Sequence, residues 1–170
     1  ISPGERVAII GGVGSGKTTL LRILAGLYHP QAGTIQISGL DMTQVADDVL
    51  RRNIGYLPQD FRLVQSSLRE NIVMGMGNIS DDVIMRVAMK TGLSKVIADH
   101  PNGLDLVIQE GGRGLSGGQR ALVGLTRLLL GAPNLWLLDE PTANLDQNAE
   151  NAVLQTLQDS LAPDDTLILV

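Results

Sequence analysis

The chain has 170 residues, of which 44% are hydrophobic and 20 are glycine, and this length is enough for one domain with a good core. Its 13 basic and 18 acidic residues leave a net charge of −5, which argues against a general nucleic-acid surface. The absence of cysteine excludes a disulfide framework and a cysteine-based metal site. No apolar run approaches the roughly 20 residues of a membrane-spanning helix.

The first distinctive segment lies between a predicted strand and a predicted helix. Residues 5–10 form a short apolar run rich in β-branched residues, and a helical apolar stripe runs from Leu20 to Leu27. Between them, Gly11-x-x-x-x-Gly16-Lys17-Thr18 fits the P-loop pattern, and this context disfavours a simple glycine-rich turn. The residues expected to contact ATP are Gly11, Gly12, Val13, Gly14, Ser15, Gly16, Lys17, Thr18 and Thr19.

The chemistry of this segment follows from its residue types. Glycines let the backbone wrap a phosphate with N–H groups pointing inward, and the following helix adds the positive end of its dipole. Lys17 is expected to bridge the β- and γ-phosphates, and the Thr18 hydroxyl is expected to bind Mg²⁺.

The pattern of the remaining chain predicts a P-loop core interrupted by a helical subdomain. Strands are predicted at Thr34–Ser38 and Ile54–Leu57, with a short helix at Thr43–Arg51 between them. Residues 60–130 are predicted to be mostly helical, with Ser80 as one N-cap. The predicted domains are residues 1–58 with 131–170 for the core, and residues 59–130 for the subdomain.

Leu115-Ser-Gly-Gly-Gln119 precedes a segment with an apolar face from Leu122 to Leu129. Ser116 fits the N-cap of this predicted helix. The backbone N–H groups of Gly117 and Gly118, with the Ser116 hydroxyl, would then present donors at a helix N-terminus.

An acidic pair follows the predicted strand Leu135–Leu138, whose apolar run suits a sheet covered on both faces. Asp139 is placed to hold Mg²⁺, and Glu140 is the candidate base that polarises the attacking water. A solvated acidic pair before a turn is the alternative, and the upstream P-loop disfavours it.

Five motifs together resemble those of the ATP-binding cassette (ABC) superfamily. They occur in the order typical of that superfamily, which is P-loop, Q-loop, signature, Walker B and D-loop. These motifs are Gly11–Thr18, Gln59 in Ile54-Gly-Tyr-Leu-Pro-Gln59, Leu115-Ser-Gly-Gly-Gln119, Asp139-Glu140, and Ala143-Asn-Leu-Asp146. The resemblance implies an α/β fold with a RecA-like P-loop NTPase core, an inserted α-helical subdomain, and truncation at both ends. It places the switch histidine and the adenine-stacking aromatic residue outside these 170 residues.

The resemblance also implies a dimer with a second cassette, closed head to tail around two ATP molecules. The signature residues would face the γ-phosphate on the opposite subunit, and Asp146 would act in the D-loop. Gln59 would contact Mg²⁺ or the attacking water, and the implied catalytic residues are Lys17, Gln59 and Glu140. The implied signature contacts with nucleotide are Ser116, Gly117, Gly118 and Gln119.

Residues 57–72 and 107–114 are similar to the corresponding regions of ABC exporters, most of all type I secretion ATPases. That likeness implies ATP-driven export of a toxin or adhesin at the cytoplasmic face of the inner membrane. The Q-loop region and Glu110 would contact the transmembrane domain, although Gln109 departs from the usual glycine. Exposed Phe61, Leu63 and Val64 would form the docking patch, with burial in the subdomain as the alternative.

Two other functions stay open at this point. One is a soluble ABC ATPase acting on ribosomes or DNA, which would lack a fused membrane segment. The other is a cassette that binds ATP without hydrolysing it, although the presence of Ser116, Gly118 and Glu140 argues against it.

Overall fold

The computed structural model describes residues 1–143 and 145–170 and contains both helices and strands. The strands, in chain order, are β1 (Arg6–Ala8), β2 (Gln36–Ile37), β3 (Leu40–Asp41), β4 (Ile54–Leu57), β5 (Ser66–Ser67), β6 (Val107–Ile108), β7 (Leu135–Leu138) and β8 (Thr166–Leu169). The α-helices are α1 (Lys17–Leu24), α2 (Asp47–Asn53), α3 (Leu68–Val73), α4 (Asp81–Thr91), α5 (Leu93–Asp99), α6 (Gly117–Gly131) and α7 (Gln147–Ser160). Asn144, part of the predicted D-loop, lies outside the described residues.

The described chain groups into two compact units. The first contains residues 1–58, 132–140 and 162–170, and the second contains residues 59–131 and 141–161. This grouping differs from the predicted domains in placing α7 with the second unit. The division into a core and a subdomain therefore stays a prediction.

A parallel sheet in the order β1-β8-β7-β4 forms the centre of the first unit. Leu21 of α1, Leu137 of β7 and Ile168 of β8 pack in one apolar cluster against this sheet. Strand β7 lies between two other strands and is buried over its last three residues, as its apolar run predicts. The predicted α/β class is confirmed.

The carboxyl ends of the parallel strands meet at one edge of the sheet, where α/β folds bind ligands. The glycine-rich segment follows the end of β1, and Asp139 follows the end of β7. Only β8 lies between these two strands in the sheet. The topology therefore brings the phosphate-binding and acidic motifs to the same edge.

The predicted strand Thr34–Ser38 is shorter in the structure and forms half of a hairpin. Strand β2 pairs antiparallel with β3, which the pattern did not predict. Ser38 and Gly39 both have positive φ angles, 52° and 79°, and so turn the chain back after two paired residues.

The predicted helix Thr43–Arg51 begins later than expected. Val45 and Ala46 are extended, so α2 starts only at Asp47. Asp41 caps a short 3-10 turn before them by accepting a hydrogen bond from the Thr43 N–H at 2.9 Å. By binding this backbone N–H, the aspartate favours the 3-10 turn over an α-helix, so α2 begins later in the chain.

The second unit has its own apolar core, to which helices α3 to α6 all contribute. Leu68, Ile72, Ile84, Leu93 and Val123 are fully buried in it. Residues 60–130 are mostly helical, as predicted, but β5 and β6 form an additional antiparallel pair.

Helix α4 begins where the sequence predicts, but without a hydrogen bond from its cap residue. Ser80 occupies the N-cap position, yet its side chain makes no capping hydrogen bond.

Across the described residues, no helix combines the length and apolar character that crossing a membrane requires.

Candidate active site

The glycine-rich loop joins the end of β1 to the start of α1, as its pattern predicts. Gly14 and Gly16 have φ angles of 79° and 90°, a left-handed conformation that residues with a side chain rarely adopt. The Leu20 N–H donates to the Gly16 carbonyl at 2.9 Å and opens the hydrogen bonding of the helix. The N–H groups of the first turn, which a helix cannot pair internally, thus lie at the loop and can bind an anion.

Lys17 brings a positive charge to this loop. Its ammonium donates to the carbonyl of Gly11 at 2.9 Å and to that of Gly12 at 3.3 Å. A Cβ added at Gly11 would lie 2.7 Å from the hydroxyl oxygen of Ser15, so the loop packs closely around this glycine. The loop is therefore a glycine-built cradle with a cation folded over it, which fits the phosphates of a nucleotide.

Two predicted metal ligands lie in contact at the sheet edge. The Thr18 hydroxyl donates to Oδ1 of Asp139 at 3.1 Å. Asp139 is only 1% exposed, and its N–H donates to the Leu57 carbonyl at 2.9 Å, which continues the pairing of β4 with β7. A hydroxyl and a carboxylate are the oxygen ligands that Mg²⁺ prefers, so this donor set fits that ion.

Tyr56 is a site residue that the sequence reasoning missed. Its hydroxyl donates to Oδ2 of Asp139 at 3.4 Å, so the two carboxylate oxygens contact different hydroxyl groups. Burial raises the pKa of Tyr56 above its ordinary value, although a hydrogen bond with Arg22 opposes the rise. The hydroxyl therefore remains a donor at neutral pH. The signal was its position near the end of a strand, among the predicted ligands.

Glu140, the predicted base, follows Asp139 with an unusual backbone. Its φ angle is 48°, and its N–H donates to the Val170 carbonyl at 3.0 Å. The residue is exposed. A left-handed conformation at a residue other than glycine costs about 1–2 kcal/mol, and such strain is concentrated at functional sites. This strain marks Glu140 as a candidate functional residue, and its predicted role as the base stays a prediction.

The signature segment begins α6 in the second unit. The Gln119 N–H donates to the Ser116 hydroxyl oxygen at 3.2 Å, and the Ser116 N–H donates to the Gln119 side-chain oxygen at 2.8 Å. This reciprocal pair confirms Ser116 as the cap and shows that the Gln119 side chain supports it. A Cβ at Gly118 would lie 3.4 Å from the side chain of Leu145, which belongs to the predicted D-loop, so Leu145 packs beside the first turn of α6.

Asp146 has a clear structural role. Its carboxylate accepts hydrogen bonds from the N–H groups of Asn148 and Ala149 at 3.0 and 2.9 Å, which caps α7. Its predicted contact with nucleotide stays a prediction. Gln59 is the first residue of the second unit, and its predicted contact with Mg²⁺ or the attacking water also stays a prediction.

The predicted docking patch is only partly exposed. Val64 is exposed to 46%, whereas Leu63 is 3% exposed and belongs to the apolar core. Phe61 is half-buried beneath the guanidinium of Arg127, which lies 4.8 Å from the ring centroid. The expectation of three exposed apolar residues is therefore wrong for Leu63, which belongs to the core, and for Phe61, which packs partly buried against it; only Val64 is exposed.

A groove of about 750 Å³ nevertheless lies in this region of the second unit. Residues 62–65 line one part of it, and Glu110, Gly111 and Arg113 line another. Glu110 is exposed. The two segments that resemble exporter sequences thus meet at one concave surface.

Asn71 holds the segment that lines this groove. It is fully buried, and its amide makes hydrogen bonds at 3.0 Å with the Val64 N–H, the Val64 carbonyl, the Ser66 hydroxyl and the Ser67 carbonyl. The Arg127 side chain from α6 donates from Nε to the Asn71 carbonyl at 2.8 Å and from Nη2 to the same oxygen. Burial lowers the pKa of Arg127. Neither residue was given a role from sequence, because the Asn71 bonds depend on how residues 64–67 fold back and Arg127 meets Asn71 across 56 positions.

Comparisons with known proteins agree with this geometry. A family model described as "ABC transporter" matches residues 1–143. The mitochondrial iron-sulfur clusters transporter ATM1 of Debaryomyces hansenii is 39% identical over 158 residues, which cover 93% of this chain and 23% of that protein. The colicin V secretion/processing ATP-binding protein CvaB of Escherichia coli is 37% identical over 153 residues, which cover 90% and 22%.

The solved structure of a bacterial Atm1-family ABC exporter with ATP bound matches with a TM-score of 0.91 and 35% identity. The match covers 98% of this chain and 29% of that chain. The chain thus spans about a quarter of the length of the proteins it resembles.

Proposed function

The chain belongs to the ABC transporter family as an ATPase domain, and we propose that it is the motor domain of an exporter, driven by binding and hydrolysis of ATP. The observation that carries this proposal is the hydrogen bond between Thr18 and Asp139 at 3.1 Å. This bond joins the helix that follows the P-loop to Asp139 at the end of β7, and Glu140 is the next residue in the chain.

In this proposal the loop residues 11–16 bind the phosphates through backbone N–H groups, and Lys17 holds the β- and γ-phosphates. Thr18 and Asp139 hold Mg²⁺, and the bound ion would neutralise charge that develops on the phosphate oxygens. Glu140 accepts a proton from the attacking water, for which its exposed carboxylate suits it. Binding the nucleotide and polarising water are thus divided between the two motifs.

We further propose that two copies work as a head-to-tail pair. The first turn of α6 presents the N–H groups of Gly117 and Gly118, and Ser116 stays exposed while it caps the helix. A helix N-terminus of this kind binds phosphate oxygens. The γ-phosphate on the partner copy is the expected ligand, because each copy then completes the site of the other.

The groove of the second unit is the proposed contact with the membrane domain. It brings residues 62–65 together with Glu110 and Arg113, so charged side chains surround a concave floor. Leu63 contributes to this floor from the core, and Val64 contributes an exposed apolar side chain. These features suit a short segment with both apolar and charged side chains.

Two of the similar proteins suggest different exported substrates. The similarity to a colicin V secretion protein of Escherichia coli supports type I secretion at the cytoplasmic face of the inner membrane. The similarity to a mitochondrial iron-sulfur clusters transporter supports a second candidate, export of a small metal-containing compound. We propose export of protein cargo on two grounds: the expectation from sequence that residues 57–72 and 107–114 are of the secretion type, and the similarity to the colicin V secretion protein.

The catalytic proposal is tested by ATP hydrolysis in the complete protein with Thr18→Ala. Loss of the hydroxyl removes one metal ligand and its bond to Asp139, and we expect turnover to fall by about 100-fold. Thr43→Ala is the matched control, because Thr43 makes an equivalent side-chain bond to Asp41 at 2.6 Å in the same unit. Equal activities of the two variants would refute the assigned role of Thr18.

The docking proposal is tested by cross-linking, since these 170 residues contain no cysteine. Single cysteines at Val64 and Glu110 should react with a cysteine-reactive cross-linker and join the membrane domain of the complete protein. A cysteine at Val49, which is 45% exposed on α2, is the control. Cross-links from Val49 but not from the groove would overturn the assignment.

A further inference from the structure

We propose that Tyr56 is a positioning residue that orients the Asp139 carboxylate for the metal of the nucleotide site. This inference rests on the proposed function, since it concerns the ion that Thr18 and Asp139 would hold. It gives a role to a residue to which none was assigned from sequence.

The two oxygens of Asp139 are held by separate donors. Oδ1 accepts from Thr18 at 3.1 Å, and Oδ2 accepts from Tyr56 at 3.4 Å. Because Asp139 is only 1% exposed, bulk water has little access to replace either donor. A carboxylate held at both ends cannot rotate freely about its last bond, so its Thr18-facing oxygen keeps one direction.

The backbone fixes Tyr56 beside this carboxylate. Strands β4 and β7 are parallel and paired, with Tyr56 opposite Leu137 and Leu57 opposite Leu138. The Asp139 N–H continues that pairing by donating to the Leu57 carbonyl at 2.9 Å. The distance between the tyrosine and the carboxylate is therefore set by a sheet ladder rather than by a loop.

The direction of this hydrogen bond follows from the groups that make it. A carboxylate can only accept, so the Tyr56 hydroxyl donates its hydrogen to Asp139. The other tyrosine of the chain bonds elsewhere, because the hydroxyl of Tyr28 accepts from Nη1 of Arg22 at 3.3 Å.

Removing the Tyr56 hydroxyl should lower the affinity for Mg²⁺ without changing the affinity for the phosphates. Mutation of a side chain that orients a metal ligand typically lowers metal affinity by about 10- to 100-fold. Lys17 and the glycine loop bind phosphate independently of this hydroxyl, so nucleotide affinity without metal should stay unchanged.

The test measures binding of a fluorescent ATP analogue to the complete protein across a series of MgCl₂ concentrations and in EDTA. We expect Tyr56→Phe to raise the half-saturating Mg²⁺ concentration by about 10-fold, with unchanged affinity in EDTA. Tyr28→Phe is the matched control, because Tyr28 is the other tyrosine of the chain and its hydroxyl bonds to Arg22 rather than to Asp139.

The outcomes separate this inference from the proposed function. Wild-type protein whose analogue binding ignores Mg²⁺ would overturn the metal site itself. A wild-type response that Tyr56→Phe retains in full would overturn only the role of Tyr56. An equal shift in Tyr28→Phe, or lost affinity in EDTA for Tyr56→Phe, would show a general structural effect and would also overturn the positioning role.

Discussion

Replacement of Asn71 by alanine should destabilise the second unit strongly, although none of the five motifs contains this residue. Its amide is fully buried and bonds to four polar groups of residues 64–67, all at 3.0 Å. An NH₂ group has only two hydrogens, so these contacts amount to about three full hydrogen bonds. At about 1 kcal/mol for each buried bond, the variant should lose about 3 kcal/mol.

Thermal unfolding followed by circular dichroism at 222 nm measures this loss. For a domain of this size, 3 kcal/mol corresponds to a fall in Tm of about 6–12 °C. Amide hydrogen exchange gives a local readout, because the Val64 N–H loses its acceptor and should exchange faster than in the wild type. The segment that lines the groove would then be poorly ordered.

Asn151→Ala is the matched control for this prediction. Asn151 is exposed on α7, and its side chain accepts one hydrogen bond, from Gln147 at 3.4 Å. Its replacement should change stability by no more than about 0.5 kcal/mol. A Tm for Asn71→Ala within about 2 °C of the wild type would refute the reasoning, since it would mean that the amide network contributes little.

Three further predictions concern the phosphate cradle, the base and a glycine next to the groove. Lys17→Ala should weaken binding of a fluorescent ATP analogue by about 10- to 100-fold, and unchanged affinity would remove Lys17 from its role. Glu140→Gln should slow phosphate release by about 10²- to 10⁴-fold while binding persists, and wild-type turnover would exclude Glu140 as the base. Gly112→Ala should lower Tm more than Gly111→Ala, because φ is positive at both but only Gly112 would bring its Cβ within 2.5 Å of Arg120; equal Tm values would count against that clash.

The sequence predicted those parts of the site whose geometry is determined by residues close together in the chain. The loop from Gly11 to Thr18 requires its glycines locally, and the Ser116 cap needs only Gln119 three residues later. The placement of Asp139 at the sheet edge was also predictable, because it follows a buried apolar strand. In each case a short pattern has one favourable local structure.

The parts that the sequence did not predict depend on contacts between distant segments. Tyr56 meets Asp139 across 83 positions, and Arg127 meets Asn71 across 56. Leu63 was expected on the surface, because nothing within its own segment indicates the core that covers it. The two-residue strands β5 and β6 carry too little periodicity to be recognised, since their partner lies elsewhere in the chain.

The proposed head-to-tail pair is tested most directly by a disulfide between two differently tagged copies of the complete protein. One copy carries Ser15→Cys in the phosphate loop and the other carries Ser116→Cys in the signature, both at exposed serines and each with Glu140→Gln. Ser80→Cys, at an exposed serine with no capping bond, replaces Ser116→Cys in the control. We expect ATP to promote a cross-linked species that contains both tags, and only with Ser116→Cys. Cross-linking that is equal with Ser80→Cys, or absent with ATP, would contradict a signature that acts on the nucleotide of the partner.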